Sequence, residues 1–318
     1  MKSVLITIKN FDRRFPQAMQ YLIDHDINII IRDSIISLTG EERQEILPSI
    51  DALIPAAEPC NMELLAQMKN LKILSRMGSG MDNIDLDYCK AHGIIVTNSK
   101  GCNANGVAEM TLALIFASLR SIVRLNQYAR EGAWSKRFPG EELWGKTVGL
   151  VGFGIIARRL SEMLQPFTVR IVACDPFMDH TAAESLHVSP VSFNELLACS
   201  DIVSVHIPAL KENVGLFDEK IFGAMKTGAI FVNCARGILV NEDDLYNALK
   251  SGKLYAAASD VFCKEPLPPD NKLFELDNFI GTPHAAGMTT RSSVDDSMAV
   301  VTSIIDCLNG REPGYRII

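Results

Sequence analysis

No two of the eight cysteines stand in a Cys-x-x-Cys spacing. Neither a zinc knuckle nor a redox dithiol is therefore indicated. Most sit in apolar runs such as Ile171-Val172-Ala173-Cys174 and read as reduced, buried thiols. Positive charge is also scarce: 31 Lys and Arg against 38 Asp and Glu leave a net charge of −7. Such a surface repels the phosphates of nucleic acids and anionic membranes. Long apolar runs are missing too, and none approaches the roughly 20 residues of a membrane helix. The opening MKSVLITIKN lacks the layout of a secretory signal, so the expected location is the cytoplasm. What is present is an ordinary globular composition over 318 residues, long for one core and comfortable for two domains.

Short apolar runs alternate with helical periods along most of the chain. Strands are predicted at Ser3–Ile8, Asn28–Ile31, Ala52–Pro55, Lys72–Leu74 and Ile94–Val96. They are predicted again at Thr147–Val151, Arg170–Cys174, Ile202–His206, Ala229–Asn233, Ala256–Asp260 and Phe279–Gly281. This rhythm implies βαβ units and parallel sheets, an α/β fold. Residues 103–130 break it and read as one long helix, apolar on more than one side. Such a helix lies under a sheet or packs on a second subunit, and the second is favoured. A last helix near 290–309 is expected to return to the first unit. No repeats or low-complexity segments are evident.

The stretch Val148-Gly149-Leu150-Val151-Gly152-Phe153-Gly154-Ile155-Ile156-Ala157 reads as a phosphate-cradling strand-to-helix turn. Gly152 lets the chain turn, and Gly154 lets a pyrophosphate approach the backbone. The amides opening the helix, at Ile155 and Ile156, complete the cradle around Phe153. Ala157 is small enough for the third glycine position. Asp175 ends the next strand, 23 residues after Gly152. Its carboxylate suits ribose hydroxyls and repels a 2′-phosphate. Pro176, Phe177 and Met178 offer no cation to receive one, so the predicted cofactor is NAD rather than NADP.

Further stretches carry a resemblance. They are SRMGSGMDNID (75–85), NANGVAE (103–109), ELWGKTVGLVGFG (142–154), SDIVSVHIP (200–208), MKTGAIFVNCARG (225–237), SDVFCKEPLP (259–268) and TPHAAGMT (282–289). In content and order the chain resembles the D-2-hydroxyacid dehydrogenases, which include D-3-phosphoglycerate, glycerate/hydroxypyruvate and D-lactate dehydrogenases. The resemblance implies two doubly wound parallel-sheet domains. A Rossmann NAD domain (100–285) is inserted into a flavodoxin-like substrate domain (1–99 plus 286–318). It implies Arg236, Glu265 and His284 as catalytic residues. It places Ser79 and Gly80, with Arg236 and His284, on the substrate, and His206, Pro208, Ala235, Asp260 and His284 beside the cofactor. It also implies a homodimer through the NAD domain, and no metal site is expected.

The chemistry agrees with these roles. Reducing a 2-keto acid needs a hydride at C2 and a proton on the oxygen. A histidine ordinarily titrates near 6.5, and a neighbouring carboxylate would favour its protonated form. Glu265 would be that carboxylate and would orient the ring, while Arg236 would clamp the substrate carboxylate with permanently charged donors. The motifs look most like the phosphoglycerate and hydroxypyruvate branches, so 3-phosphoglycerate, or glycerate with hydroxypyruvate or glyoxylate, is the expected substrate. A phosphonate- or formate-oxidising member and a non-catalytic NAD(H)-sensing corepressor of the same fold are the alternatives. Asn241 stands where the family often has Asp, and ALKENVGLF (209–217) lacks its usual threonines. With the chain ending at Ile318, no appended regulatory domain is expected.

Overall fold

The computed structural model describes residues 1–56 and 58–318. The chain divides into two compact units, Met1–Asn103 with Met288–Ile318, and Ala104–Gly287.

The first unit holds β1 (Ser3–Ile6), β2 (Asn28–Ile31), β3 (Ala52–Ile54), β4 (Ile73–Arg76) and β5 (Ile95–Asn98). All pairs are parallel, in the order β2-β1-β3-β4-β5, the flavodoxin-like winding. The strands are apolar runs because helices cover both faces. Leu5, Leu53, Leu74 and Val96 line one core. Val4, Ile6, Ile54 and Ile73 line the other, against Val300 and Ile304 of the helix Thr290–Leu308.

The second unit holds β6 (Thr147–Val151), β7 (Arg170–Cys174), β8 (Val188–Pro190), β9 (Ile202–Val205), β10 (Ala229–Asn233), β11 (Leu254–Ser259) and β12 (Phe279–Gly281). Again every pair is parallel, in the order β12-β11-β10-β9-β6-β7-β8. Winding reverses between β6 and β9, so the carboxyl ends of these two strands mark the topological switch point where open α/β sheets bind ligands. The sequence pattern missed β8, a three-residue edge strand that ends on a proline.

The single helix expected over 103–130 is two. Ala104–Leu119 and Ile122–Arg130 meet at a 62° bend, where Ser121 takes a left-handed φ of 47°. The first helix packs on the helix Ile155–Leu164 and on β10 and β11. It buries Val107, Ala108, Leu114, Ile115 and Leu119 in its own unit, so its many-sided apolarity is largely used within the chain. The second carries Arg124, Asn126 and Arg130 and buries none of its residues. The cysteines also depart from expectation. Cys60, Cys89 and Cys234 are buried, four are half-buried, and Cys263 is exposed in the loop after β11.

Candidate active site

The turn after β6 is shaped by its neighbours. Gly152 has φ +93°, and a β-carbon there would lie 2.7 Å from the His206 carbonyl oxygen. The position is closed to any side chain both by backbone and by packing. Gly154 differs: its φ is −76° and its side-chain space is open, with nothing within 4 Å. The fold does not require a glycine there, whereas a phosphate resting on the backbone does. Beyond it the ten-residue helix Ile155–Leu164 begins with amides at Ile155 and Ile156 that have no partner among the described residues. Such amides and the helix dipole favour an anion. Ala157 is fully buried in the second unit's core, where a small residue lets the helix lie close to the sheet.

Asp175 follows β7 and grips two turns at once. Oδ2 accepts the Phe153 amide at 2.7 Å, and Oδ1 accepts the Phe177 amide at 2.7 Å. A carboxylate has about four lone-pair sites, so each oxygen can still accept from a ribose hydroxyl. The first cation of the following helix is committed elsewhere. Arg158 donates to Asp179 Oδ2 at 2.9 Å and to the Phe153 carbonyl at 3.1 Å.

His206 closes β9 at the switch point. Its amide donates to the Val151 carbonyl at 2.7 Å, and its Nε2 lies 2.9 Å from the Ser204 hydroxyl. Desolvation pushes the ring's pKa down to about 4, so it is neutral at pH 7. Two residues on, the Pro208 carbonyl accepts from Asn213 Nδ2 at 3.0 Å. The segment lacking threonines is thus tied to the strand end.

Three neighbouring parallel strands carry the remaining residues at their carboxyl ends. After β10 comes Ala235-Arg236. The buried Asn233 shapes this turn: Oδ1 accepts the Ala235 amide at 3.0 Å, and Nδ2 donates to the Arg236 carbonyl at 2.9 Å. Arg236 Nη1 donates to the Ala235 carbonyl at 2.8 Å. A β-carbon on Gly237 would fall 1.9 Å from the Phe262 carbonyl carbon. The Arg236 turn therefore rests directly on the loop that leads to Glu265. Asn233 and Gly237 were not singled out from the sequence, although an Asn before x-Ala-Arg at a strand end is a turn signal.

After β11, Glu265 accepts the Phe262 amide on Oε1 at 2.9 Å and lies 2.7 Å from His284 Nδ1 through Oε2. After β12, the turn at 282–286 places His284 in the left-handed region, φ 52°. Asp260 holds that conformation. Its carbonyl accepts the His284 amide at 2.8 Å. Its buried carboxylate accepts Thr282 Oγ1 at 2.5 Å and the Ala285 and Ala286 amides at 2.9 and 2.8 Å. Three bonds leave about one lone-pair site for a cofactor amide, so clamping the histidine turn is the role its contacts display. With Nδ1–H donated to Glu265, the Nε2 of the half-exposed His284 ring has no partner among the described residues. A ring so held can give or take a proton at Nε2.

In the first unit, the turn Met77-Gly78-Ser79-Gly80 follows β4. Gly78, at φ +99°, donates its amide to Ser99 Oγ at 2.6 Å, and the Ser79 carbonyl accepts from Asn98 Nδ2 at 3.0 Å. The amides of Ser79 and Gly80 have no partner among the described residues. Successive unpaired amides of this kind form an anion nest.

Asn241, the departure from the resembling pattern, caps the helix Glu242–Lys250 by accepting the Asp243 and Asp244 amides. A carboxamide oxygen serves there as well as a carboxylate would.

Comparison with known proteins agrees with the fold. Residues 112–286 match the family model described as D-isomer specific 2-hydroxyacid dehydrogenase, NAD binding domain. The chain is 37% identical over 299 residues to a D-3-phosphoglycerate dehydrogenase of Archaeoglobus fulgidus, covering 92% of this chain and 56% of that protein. It is 38% identical over 260 residues to a hydroxypyruvate reductase of Thermotoga maritima, covering 80% of this chain and 84% of that one. The chain thus spans about half the length of the curated phosphoglycerate dehydrogenases it matches. A crystal structure of a protein from Thermus thermophilus matches with a TM-score of 0.88 at 31% identity, over 99% of this chain and 100% of that one. The chain belongs to the D-isomer specific 2-hydroxyacid dehydrogenase family.

Proposed function

We propose that the chain is an NAD-dependent oxidoreductase that transfers a hydride between nicotinamide and C2 of a small D-2-hydroxy acid. 3-Phosphoglycerate, or glycerate with hydroxypyruvate or glyoxylate, would be the substrate. The observation that carries this reading is the Glu265–His284 contact of 2.7 Å, two strand ends from Arg236 on one sheet.

The residues present fit the cofactor. The open space over Gly154 and the Ile155 and Ile156 amides would take the pyrophosphate, and Asp175 would take the adenosine ribose. When bound, NAD supplies the hydride acceptor or donor. In reduction, Arg236 binds the substrate carboxylate and polarises the keto oxygen, and His284 delivers a proton from Nε2 to that oxygen. In oxidation, neutral Nε2 takes the hydroxyl proton. Glu265 keeps Nδ1 protonated and aims the ring. The Ser79 and Gly80 amides would offer a carboxylate an anion nest within the first unit.

A homodimer through the second unit forms part of this reading. Trp134, Trp144, Ile122 and Val123 are all exposed, and a cavity of about 340 Å³ opens among Phe116, Trp144 and Phe167. These exposed apolar side chains are the ones this reading would cover with a second copy. A single sedimenting monomer at micromolar concentration would rule the dimer out.

The functional test is loss of NADH absorbance with hydroxypyruvate, glyoxylate, pyruvate and 3-phosphohydroxypyruvate, beside His284→Ala and Arg236→Ala. Turnover of one keto acid, lost in both variants, is expected. Tight NADH binding with no turnover on any of them would overturn the reading in favour of an NAD(H)-sensing scaffold.

A further inference from the structure

A buried polar seam runs beneath the Ser79–Gly80 nest. The helix Thr290–Leu308 lies on β4 and β5. Ser75, Thr97 and Ser99 on or beside those strands are fully buried. Ser75 Oγ donates to the Val300 carbonyl of the helix at 3.3 Å, and Thr97 Oγ1 donates to Ser75 Oγ at 2.6 Å. One helical turn before Val300 stands Asp296, 8% exposed, whose Oδ1 has no hydrogen-bond partner among the described residues. Burial and the neighbouring Asp295 raise its pKa, and the Ser99 hydroxyl beside it offsets part of that rise. Cys102 and Tyr315 lie near enough to feel its charge.

A carboxyl buried with an unpartnered oxygen costs stability. Its helix also buries apolar side chains such as Val300, Ile304 and Ile305, and its other buried polar residues, Ser292, Ser297 and Ser303, carry no charge. Ser99 supplies the reason for an acid. Its Oγ accepts the Gly78 amide at 2.6 Å, and its own amide donates to the Gly78 carbonyl at 3.4 Å. A hydroxyl that accepts still carries a proton needing an acceptor, and Asp296 lies beside it.

We propose that Asp296 is a positioning residue for the anion nest. Through the Ser99 hydroxyl it fixes the Gly78 amide inward, so that the Ser79 and Gly80 amides are the pair presented to the substrate carboxylate. The assignment of that anion rests on the dehydrogenase reading above. Asp296 touches neither substrate nor cofactor, and its effect passes through Ser99 and Gly78.

The test compares Ser99→Ala, Ser99→Thr, Asp296→Asn, Asp296→Leu and the double variant Ser99→Ala/Asp296→Leu. Three readouts are taken: amide exchange at Gly78 in protein with isotopically labelled glycine, affinity for oxalate with NADH present, and the split of KM against kcat on the preferred keto acid. Ser99→Ala and Asp296→Leu are each expected to speed Gly78 exchange and to weaken oxalate binding and KM about tenfold, with kcat and NADH affinity within about twofold. Ser99→Thr and Asp296→Asn, which retain a hydroxyl and an acceptor, should stay near wild type. The double variant should be no worse than Ser99→Ala alone. If Asp296→Leu leaves Gly78 exchange, oxalate affinity and KM unchanged, the relay is wrong and Asp296 merely packs. If wild type turns over no keto acid, the dehydrogenase reading fails by itself, and Gly78 exchange still decides the relay.

Discussion

Two histidines end strands of the same sheet and face opposite fates. His206 closes β9 at the switch point, with its ring desolvated, its Nε2 beside Ser204 and its pKa pushed down to about 4. His284 follows β12 on a left-handed turn, half-exposed, with Nδ1 on Glu265 and Nε2 without a partner among the described residues. Both lie near the carboxyl ends of parallel strands, where this fold gathers its ligands. The difference is made by their neighbours. A hydroxyl and a low-dielectric wall turn one imidazole into a neutral spacer, its carbonyl pressed on Gly152. A carboxylate anchored by the Phe262 amide leaves the other oriented and open. Proton transfer needs the second environment and is suppressed by the first.

The comparison can be broken from either side. Glu265→Gln keeps the shape of the anchor and removes its charge, and kcat is expected to fall about 10- to 100-fold with NADH affinity unchanged. Stopped-flow reduction with separate NADH titration checks this, and an unchanged kcat would show that the carboxylate is dispensable. Asp175→Ala acts away from both histidines. NADH affinity is expected to drop roughly tenfold and the preference over NADPH to shrink, because the charge that repels a 2′-phosphate is gone. Fluorescence titration with the two cofactors reads both effects, and equal losses for both cofactors would contradict the ribose role.

The smallest effect belongs to His206. Its folded pKa lies below the ordinary histidine value near 6.5. Between about pH 6.5 and 4 the unfolded chain therefore binds more protons, and stability falls as pH is lowered through that window. Above about 6.5 the contribution is fully present. His206→Gln should flatten the decline of Tm between pH 6.5 and 4.5 while leaving it nearly unchanged at pH 8. A decline of equal slope in both proteins would count against a desolvated, neutral ring.

How much of this was legible in the sequence differs by element. The glycine turn and Asp175 were readable because a strand, a turn and a helix occur in a short window with fixed chemistry. The parallel strands were readable because each is an apolar run covered on both faces. The bend at Ser121 was not, since no proline or glycine announces it, and the left-handed serine there parts a helix packed into its own core from one that buries none of its residues. At Asp260 the resemblance implies a cofactor contact, which the structure's contacts leave open. Asp260's three bonds to the His284 turn arise only when β11 and β12 lie side by side, a pairing that local sequence does not announce. Asp296 was invisible for the same reason: it is a polar residue within a helix until the fold sets it beside Ser99. Asn233 and Gly237 carry local turn signals at the end of β10.

The most direct measurement is kcat for His284→Gln and His206→Gln side by side, at saturating NADH and keto acid. NADH affinity is measured in the same preparations. A loss of about 10²- to 10⁴-fold in His284→Gln, against a change within a few-fold in His206→Gln and intact NADH binding in both, is expected. Equal losses in the two variants, or the larger loss at His206, would contradict the assignment of proton transfer to the Glu265–His284 pair.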